Sequence, residues 1–562
     1  MRSATGASSG SATAGQAMPT AGRARVLSWL AIAGIGSSIL IMIAASAVRD
    51  SWMYPPITLP SAGPPWDLTA VHMSDGVASA AVWIALIVGA VGVVAGLGAV
   101  QRGVRPSVRM LLIVAAVTVA LLTVFPPAGS TDAFDYAAYG RLAVLGHSPY
   151  VATPHLLRTT HDAIARSVPT IWQRFVSVYG PLGTLEQFLA AKLGGISAAR
   201  ITFWLKLWNS IAFGVVAFVA DRMLRSNPAQ RLRAHLLWTI NPLLLWDLIA
   251  AGHIDLLAAA FGLLGLLVLG EHSETARPPL LRVLAAGALI GAAADIKINF
   301  VLFGLGLAWV LRRSLTGLAT AAAGALVVLV PGYAWFGMPA VHALSARRNG
   351  ASADSFYIDF LGSRLRPHLA EIAAVLVIAM AVLAYKRMPT GDPARPVIRA
   401  ALVLSVAWLF FWPYQFPWYD SMIIVLLMFY PATRLDWLVI GRIAAGSLPN
   451  TPGNPFAPPG HLLELLHHWS VVVVAPLVLL AAAISLVVLC LTRQWTPGVS
   501  GGPPGGPPGP APEEPELVPS AANLPTAPLR LRQPQLRRFS PRNRPRLGGG
   551  AGPGRSPAAR SR

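Results

Sequence analysis

Residues 110–127, MLLIVAAVTVALLTVFPP, run directly into residues 128–141, AGSTDAFDYAAYGR. The first stretch is apolar over the length a helix needs to approach both faces of a bilayer core. Pro126-Pro127 stops it, and polar chemistry begins at once. Ser130 or Thr131 can cap a new helix at the membrane surface. On that helix Asp132, Asp135, Tyr136 and Tyr139 share one side at spacings of three and four. Two carboxylates on one face beside lipid suit a general base, because desolvation and mutual repulsion raise one pKa toward neutrality. The spacing alone leaves a plainer reading open, in which Asp132 only favours the helix N-terminus.

The rest of the chain agrees with a membrane setting. Its 562 residues are 54% hydrophobic and 12% charged, with a mean hydropathy of +0.58. Soluble proteins carry about 25% charged residues, so soluble enzymes, disordered proteins and disulfide scaffolds are excluded. Lys and Arg outnumber Asp and Glu by 44 to 23, giving +21. The charge is scattered over loops and a tail without interleaved aromatics, which argues for lipid partners and against nucleic acid. Cys490 is the single cysteine and lies in an apolar run.

The expected fold is all-α and polytopic. Apolar runs lie near 26–48, 78–100, 110–127, 201–221, 235–251, 255–270, 283–297, 299–311, 315–336, 370–385, 398–414, 420–433 and 470–491, with a further one near 435–449 broken by Arg442 and Gly446. That makes about 13–14 spans. Residues 1–25 read as a disordered cytoplasmic tail, 26–491 as the membrane domain, and 492–562 as a disordered Pro/Gly/Arg-rich tail. Arg23, Arg25, Arg102, Arg105, Arg109, Arg222, Arg225, Arg312, Arg313 and Lys386 fall on one side when spans are counted alternately, which puts the N-terminus inside. Three segments, 49–77, 128–200 and 337–369, are then outside and carry short helices.

Other motifs face that same side. Gly252-His253-Ile254-Asp255 occupies a tight turn between apolar runs, where an ionisable pair is a site candidate by default. A self-satisfied polar turn meets the same sequence, and Asp255 is placed to orient the His253 ring. Lys297, Arg347 and Arg348 are cations on the outer side, suited to a lipid phosphate or to snorkelling at the headgroups. Trp412-Pro-Tyr-Gln-Phe-Pro-Trp418-Tyr419-Asp420 is a Pro-broken aromatic segment; irregular backbone at this depth lines a cavity, although single rings also form interface belts. Tyr179-Gly180-Pro181 reads first as a turn. There is no Walker A loop, HExxH or nucleophile elbow, and no cluster with metal-ligand spacing.

In order and spacing, Asp132-Ala-Phe-Asp-Tyr136, Gly140-Arg141, Gly146-His-Ser-Pro-Tyr150, Tyr179-Gly-Pro, Gly252-His-Ile-Asp255 and Pro417-Trp-Tyr419 resemble GT-C glycosyltransferases. Within these the chain is similar to the actinobacterial polyprenol-phosphate-mannose-dependent α-1,6-mannosyltransferases over residues 26–491. The resemblance implies a GT-C bundle in the plasma membrane, with a catalytic carboxylate in an outer loop and a groove for the polyprenyl chain. It implies a polyprenyl-phosphate mannose donor, a mannoside or lipoglycan acceptor, membrane lipids as partners and no dedicated cofactor, although some GT-C enzymes use a metal. Asp132 matches the family's acidic position, Tyr136 its tyrosine, and Asp135 lies between them as the alternative base. Lys297, Arg347 and Arg348 would then steady the leaving phosphate, His253 and Asp255 would hold phosphate or sugar together with Tyr136 and Tyr179, and Trp418 and Tyr419 would bound the pocket. Two departures stand out: the carboxylate follows the third span instead of the first, and the usual Gly-His-Asn-Asp turn reads Gly-His-Ile-Asp. Arabinofuranosyl- and protein O-mannosyltransferases share the same implied chemistry. A lipid-linked sugar flippase would also need many spans, but its paired broken helices have no counterpart in a clear internal repeat here.

Overall fold

The computed structural model describes residues 17–49, 53, 57–271, 278–345, 350–360, 364–451 and 460–496. They belong to one compact unit, Met1–Gly498; the second unit, Val499–Arg562, lies outside the described residues, and with it the body of the expected basic tail. Among the described residues, six helices are long and apolar enough to cross a membrane: Ala21–Ala47, Asp75–Gln101, Ala198–Met223, Leu315–Phe336, Arg366–Arg387 and His461–Thr492. Val108–Val124, Ile298–Leu311, Pro396–Phe411 and Pro417–Leu427 are apolar but shorter. The chain is an all-α, multi-pass membrane protein. Its only described strands are the short parallel pair Val48–Arg49 and Leu68–His72.

Several boundaries differ from expectation. The first helix begins at Ala17, inside the stretch read as a tail. At the other end Trp495 is 4% exposed and donates its indole N–H to Arg387 O at 2.9 Å, so packed structure extends past residue 491. The runs read as separate spans at 235–251 and 255–270 form Pro228–Ala250 and Asp255–Leu267, which meet at 119° as a broken pair. Gly252 makes the bend, with φ +78, in the left-handed region that side chains disfavour. The fourteenth run forms Leu435–Ser447, 13 residues long, short of the roughly 20 that a span needs. Its charges are buried by pairing: Asp436 with Arg233 at 2.5 Å, and Arg442 with Asp420.

Small residues draw the helices together, since lipid supplies no hydrophobic drive between spans. A Cβ on Gly34 would stand 2.8 Å from Gly92 Cα across the first two long helices, and one on Gly287 would stand 2.0 Å from Ala321 O.

Buried polar groups then fix where the site begins. Lys206 Nζ, on Ala198–Met223, donates to Phe125 O at 2.8 Å and Pro126 O at 3.3 Å. These carbonyls are freed where Val108–Val124 ends, so the lysine ties the start of the next segment to the bundle. The segment continues as the helix Asp132–Val144, which packs along Pro181–Gly194. The latter is capped by Asp295, whose Oδ2 accepts from Leu182 N at 3.0 Å. Gly180 must be glycine for this approach, because a Cβ there would lie 1.9 Å from Asp295 O.

Candidate active site

The helix Asp132–Val144 opens as its sequence suggests, with one change in the cap. Thr131 holds the N-cap position, but it is Ser130 Oγ that accepts from Asp132 N, at 3.3 Å. Of the four residues expected on one face, Asp132, Asp135 and Tyr139 line a cavity of about 880 Å³, and Tyr136 does not. That size lies in the upper part of the roughly 300–1,000 Å³ range of small-molecule sites. Tyr179, Lys297, Trp418 and Tyr419 also line it. Segments distant in sequence thus converge on one space.

Asp132 is the open carboxylate, with its side chain 23% exposed. Burial pushes its pKa up to about 6; the Lys297 charge opposes that rise, the Asp255 charge adds to it, and a hydrogen bond from Tyr136 lowers it. Asp135, one turn on, is 7% exposed with a buried oxygen, Oδ1, that has no partner. Burial, reinforced by the Asp132 charge, pushes its carboxyl well up. The two carboxylates therefore differ in surroundings: Asp132 is the more exposed, and Asp135 has the Asp132 charge beside it.

Behind the wall lies a second layer. His253 is fully buried, its Nδ1 3.6 Å from Asp132 Oδ2 and 3.3 Å from Tyr136 Oη. Its ring stacks on Trp418 at 3.8 Å and 17° between planes, and Trp418 in turn stacks on Phe416 at 4.7 Å. Tyr136 meets Tyr179 edge-on at 5.1 Å. Burial, followed by neighbouring negative charge, pushes both phenols well up, so they remain hydrogen-bond donors.

Lys297 carries the positive charge of the site. Its Nζ bonds Asp255 Oδ2 at 2.6 Å and lies 4.3 Å from the centroid of the Tyr419 ring. Asp255 is thus committed to Lys297, not to the His253 ring that sequence spacing had assigned it. Neither His253, Tyr136 nor Asp255 is among the cavity-lining residues; they support those that are. Arg347 and Arg348 lie outside the described residues.

Other parts of the site escaped the sequence reading. Arg442, met there as an interruption of an apolar run, donates to Asp420, Gln415 and Leu409 O, fastening both flanks of the aromatic segment that carries Trp418. Its signal was a charge within apolar surroundings, which demands a buried partner. Trp408, Asp354 and Asn450 line the cavity as well. Among the described residues no three His, Cys, Asp or Glu side chains are grouped to hold a metal ion.

A family described as alpha-(1→6)-mannopyranosyltransferase, N-terminal domain, matches residues 31–313. A probable alpha-(1→6)-mannopyranosyltransferase of Mycolicibacterium smegmatis is 30% identical over 165 residues, 29% of this chain and 29% of that protein. Alpha-(1→6)-mannopyranosyltransferase B of Corynebacterium glutamicum is 28% identical over 215 residues, 35% of this chain and 34% of that one. The matched segments therefore span about a third of these curated relatives. ArnT from Cupriavidus metallidurans, solved bound to undecaprenyl phosphate, superposes with a TM-score of 0.38 at 16% identity, over 69% of this chain and 77% of that chain.

Proposed function

The chain belongs to the alpha-(1→6)-mannopyranosyltransferase family, and from that premise we propose that it is an inverting glycosyltransferase. It moves mannose from polyprenyl-phosphate mannose to a mannan or lipoglycan acceptor in α-1,6 linkage, on the outer face of the plasma membrane. The observation that carries this reading is that Asp132 and Lys297 line the same cavity, the Lys297 charge acting on the Asp132 carboxylate. One group can take a proton there, and the other can meet a phosphate.

The reaction needs little else. The acceptor hydroxyl oxygen attacks C1 of the mannosyl donor, the C1–O bond to phosphate breaks, and inversion converts a β-linked donor to an α-glycoside. The hydroxyl proton goes to Asp132, and the bonding pair leaves with the polyprenyl phosphate. Lys297 stabilises the charge growing on that phosphate; Arg347 and Arg348 are assigned the same task. Because a phosphate monoester leaves readily, no general acid is required.

Supporting residues have narrower roles. His253 and Tyr136 orient the Asp132 carboxylate from behind, and Asp255 orients Lys297. Tyr179, Trp418 and Tyr419 bound the donor sugar. Asp135, one turn further along the same helix, is the alternative base. Ile298, Val301 and Leu302 give the cavity an apolar wall suited to the start of the isoprenoid chain.

Membranes bearing the protein, given radiolabelled polyprenyl-phosphate mannose and a short α-1,6-mannoside, should form a longer labelled α-1,6-mannoside. Movement of the labelled lipid across vesicles without transfer would replace this reading with a flippase.

A further inference from the structure

The cavity has a second polar patch that the transfer chemistry leaves unused. Asp354 lines it while only 4% exposed. Asn450 Nδ2 donates to Asp354 Oδ2 at 3.4 Å and to Gly446 O at 2.9 Å, and Ser352 is also within hydrogen-bonding reach of the carboxylate. Ser352 N and Oγ both donate to Pro413 O, at 3.0 and 3.3 Å, which ties this loop to the aromatic segment. Trp412 and Tyr414, on either side of Pro413, line the same space.

The chemistry of this patch excludes both parts of the donor lipid. A carboxylate repels phosphate, and an isoprenoid chain offers no hydrogen-bonding group to a patch of buried polar atoms. The apolar helix Met338–Ser345 reaches the same cavity through Val341 and Leu344, with Ala340 and Ala343 packed beside Tyr150, Tyr333 and Phe336. The loop that follows packs instead through Ala351, Phe356 and Tyr357 on Leu369 and Leu479. The two walls are therefore built separately. Neutral, hydroxyl-rich matter suits the Asp354 wall: hydroxyls donate to the carboxylate, an amide both donates and accepts, and indole and phenol faces cover the C–H side of a sugar ring.

We infer that Asp354 and Asn450 form the subsite for the carbohydrate acceptor, holding hydroxyls of one sugar unit while another of its hydroxyls reaches Asp132. This rests on the reading of the cavity as a glycosyl-transfer site. Asp132 and Lys297 serve the reacting atoms, and Asp354 with Asn450 selects what receives the sugar.

The test compares wild type with Asp354→Asn in membranes, varying a synthetic α-1,6-dimannoside at saturating polyprenyl-phosphate mannose, then the reverse. The acceptor KM should rise about tenfold, as expected for weakening one charge-assisted hydrogen bond, with the donor KM unchanged. An unchanged acceptor KM, or equal rises in both, would overturn the subsite. If Asp354→Asn does not accumulate in membranes, Asn450→Ala decides by the same readout. Direct binding of the dimannoside to purified protein separates the two failures. Binding that weakens in Asp354→Asn while wild type transfers nothing would retain the subsite and sink the transferase reading; binding that ignores the substitution would sink the subsite alone.

Discussion

Lys297 Nζ lies 2.6 Å from Asp255 Oδ2 and 4.3 Å from the centre of the Tyr419 ring, so one buried cation joins the turn of the broken helix pair to the aromatic segment. The contact bridges 42 positions of sequence. It also sets a charge of known sign beside the open carboxylate.

The pair should behave as a unit. Asp255→Asn takes from a buried ammonium its hydrogen-bonded counter-charge, a change that typically costs about 3–5 kcal/mol. Thermal unfolding of the purified protein in detergent should show that loss. Replacing both partners, Asp255→Asn with Lys297→Met, should restore most of the stability but leave transfer well below wild type; full additivity of the two single losses would show that the contact is not coupled.

A pH profile reads Asp132. As the proposed base it works only when ionised, so the transfer rate should fall as pH drops through about 6. Lys297 lowers this pKa and Asp255 raises it. Lys297→Met should therefore move the acid limb to higher pH, and Asp255→Asn should move it lower. A limb that stays put in both variants would mean that another group titrates.

Support from behind the wall can be measured too. His253→Ala removes the ring that stacks on Trp418 and approaches Asp132. A large-to-small change in a fully buried position costs about 2–5 kcal/mol, and turnover should fall as well. His253→Gln, which keeps an amide near Asp132, should recover more turnover than Ala does; equal loss in both would reduce the histidine to packing.

Gly180→Ala should prevent accumulation of folded protein, because the new methyl would fall 1.9 Å from Asp295 O. Gly22→Ala, which meets nothing within 4 Å, is the matched control. Fluorescence-detected size exclusion distinguishes them.

What the sequence revealed and what it concealed have a common physical cause. The start of the helix at Asp132 is local: a proline stop, a hydroxyl cap and i, i+3, i+4 spacing are all written within one stretch. The aromatic segment 412–420 was legible as cavity-lining for the same reason, since prolines break backbone wherever they stand. Partner choice is not local. Asp255 stands two residues from His253 yet serves Lys297, because the helix break at Gly252 turns successive side chains toward different neighbours. Arg442 looked like a flaw in a span, and its purpose emerges only when Asp420 and Gln415 are brought against it. Depth is equally hidden: nothing in Gly-His-Ile-Asp says that the histidine stands behind the wall and Asp132 in it.

The most direct test of the central claim is the transfer assay itself, with radiolabelled polyprenyl-phosphate mannose and an α-1,6-mannoside acceptor, comparing wild type and Asp132→Asn at equal protein in the membrane. Loss of a general base predicts a fall in turnover of about 10²- to 10⁴-fold with folding intact. Full turnover by Asp132→Asn would contradict the account.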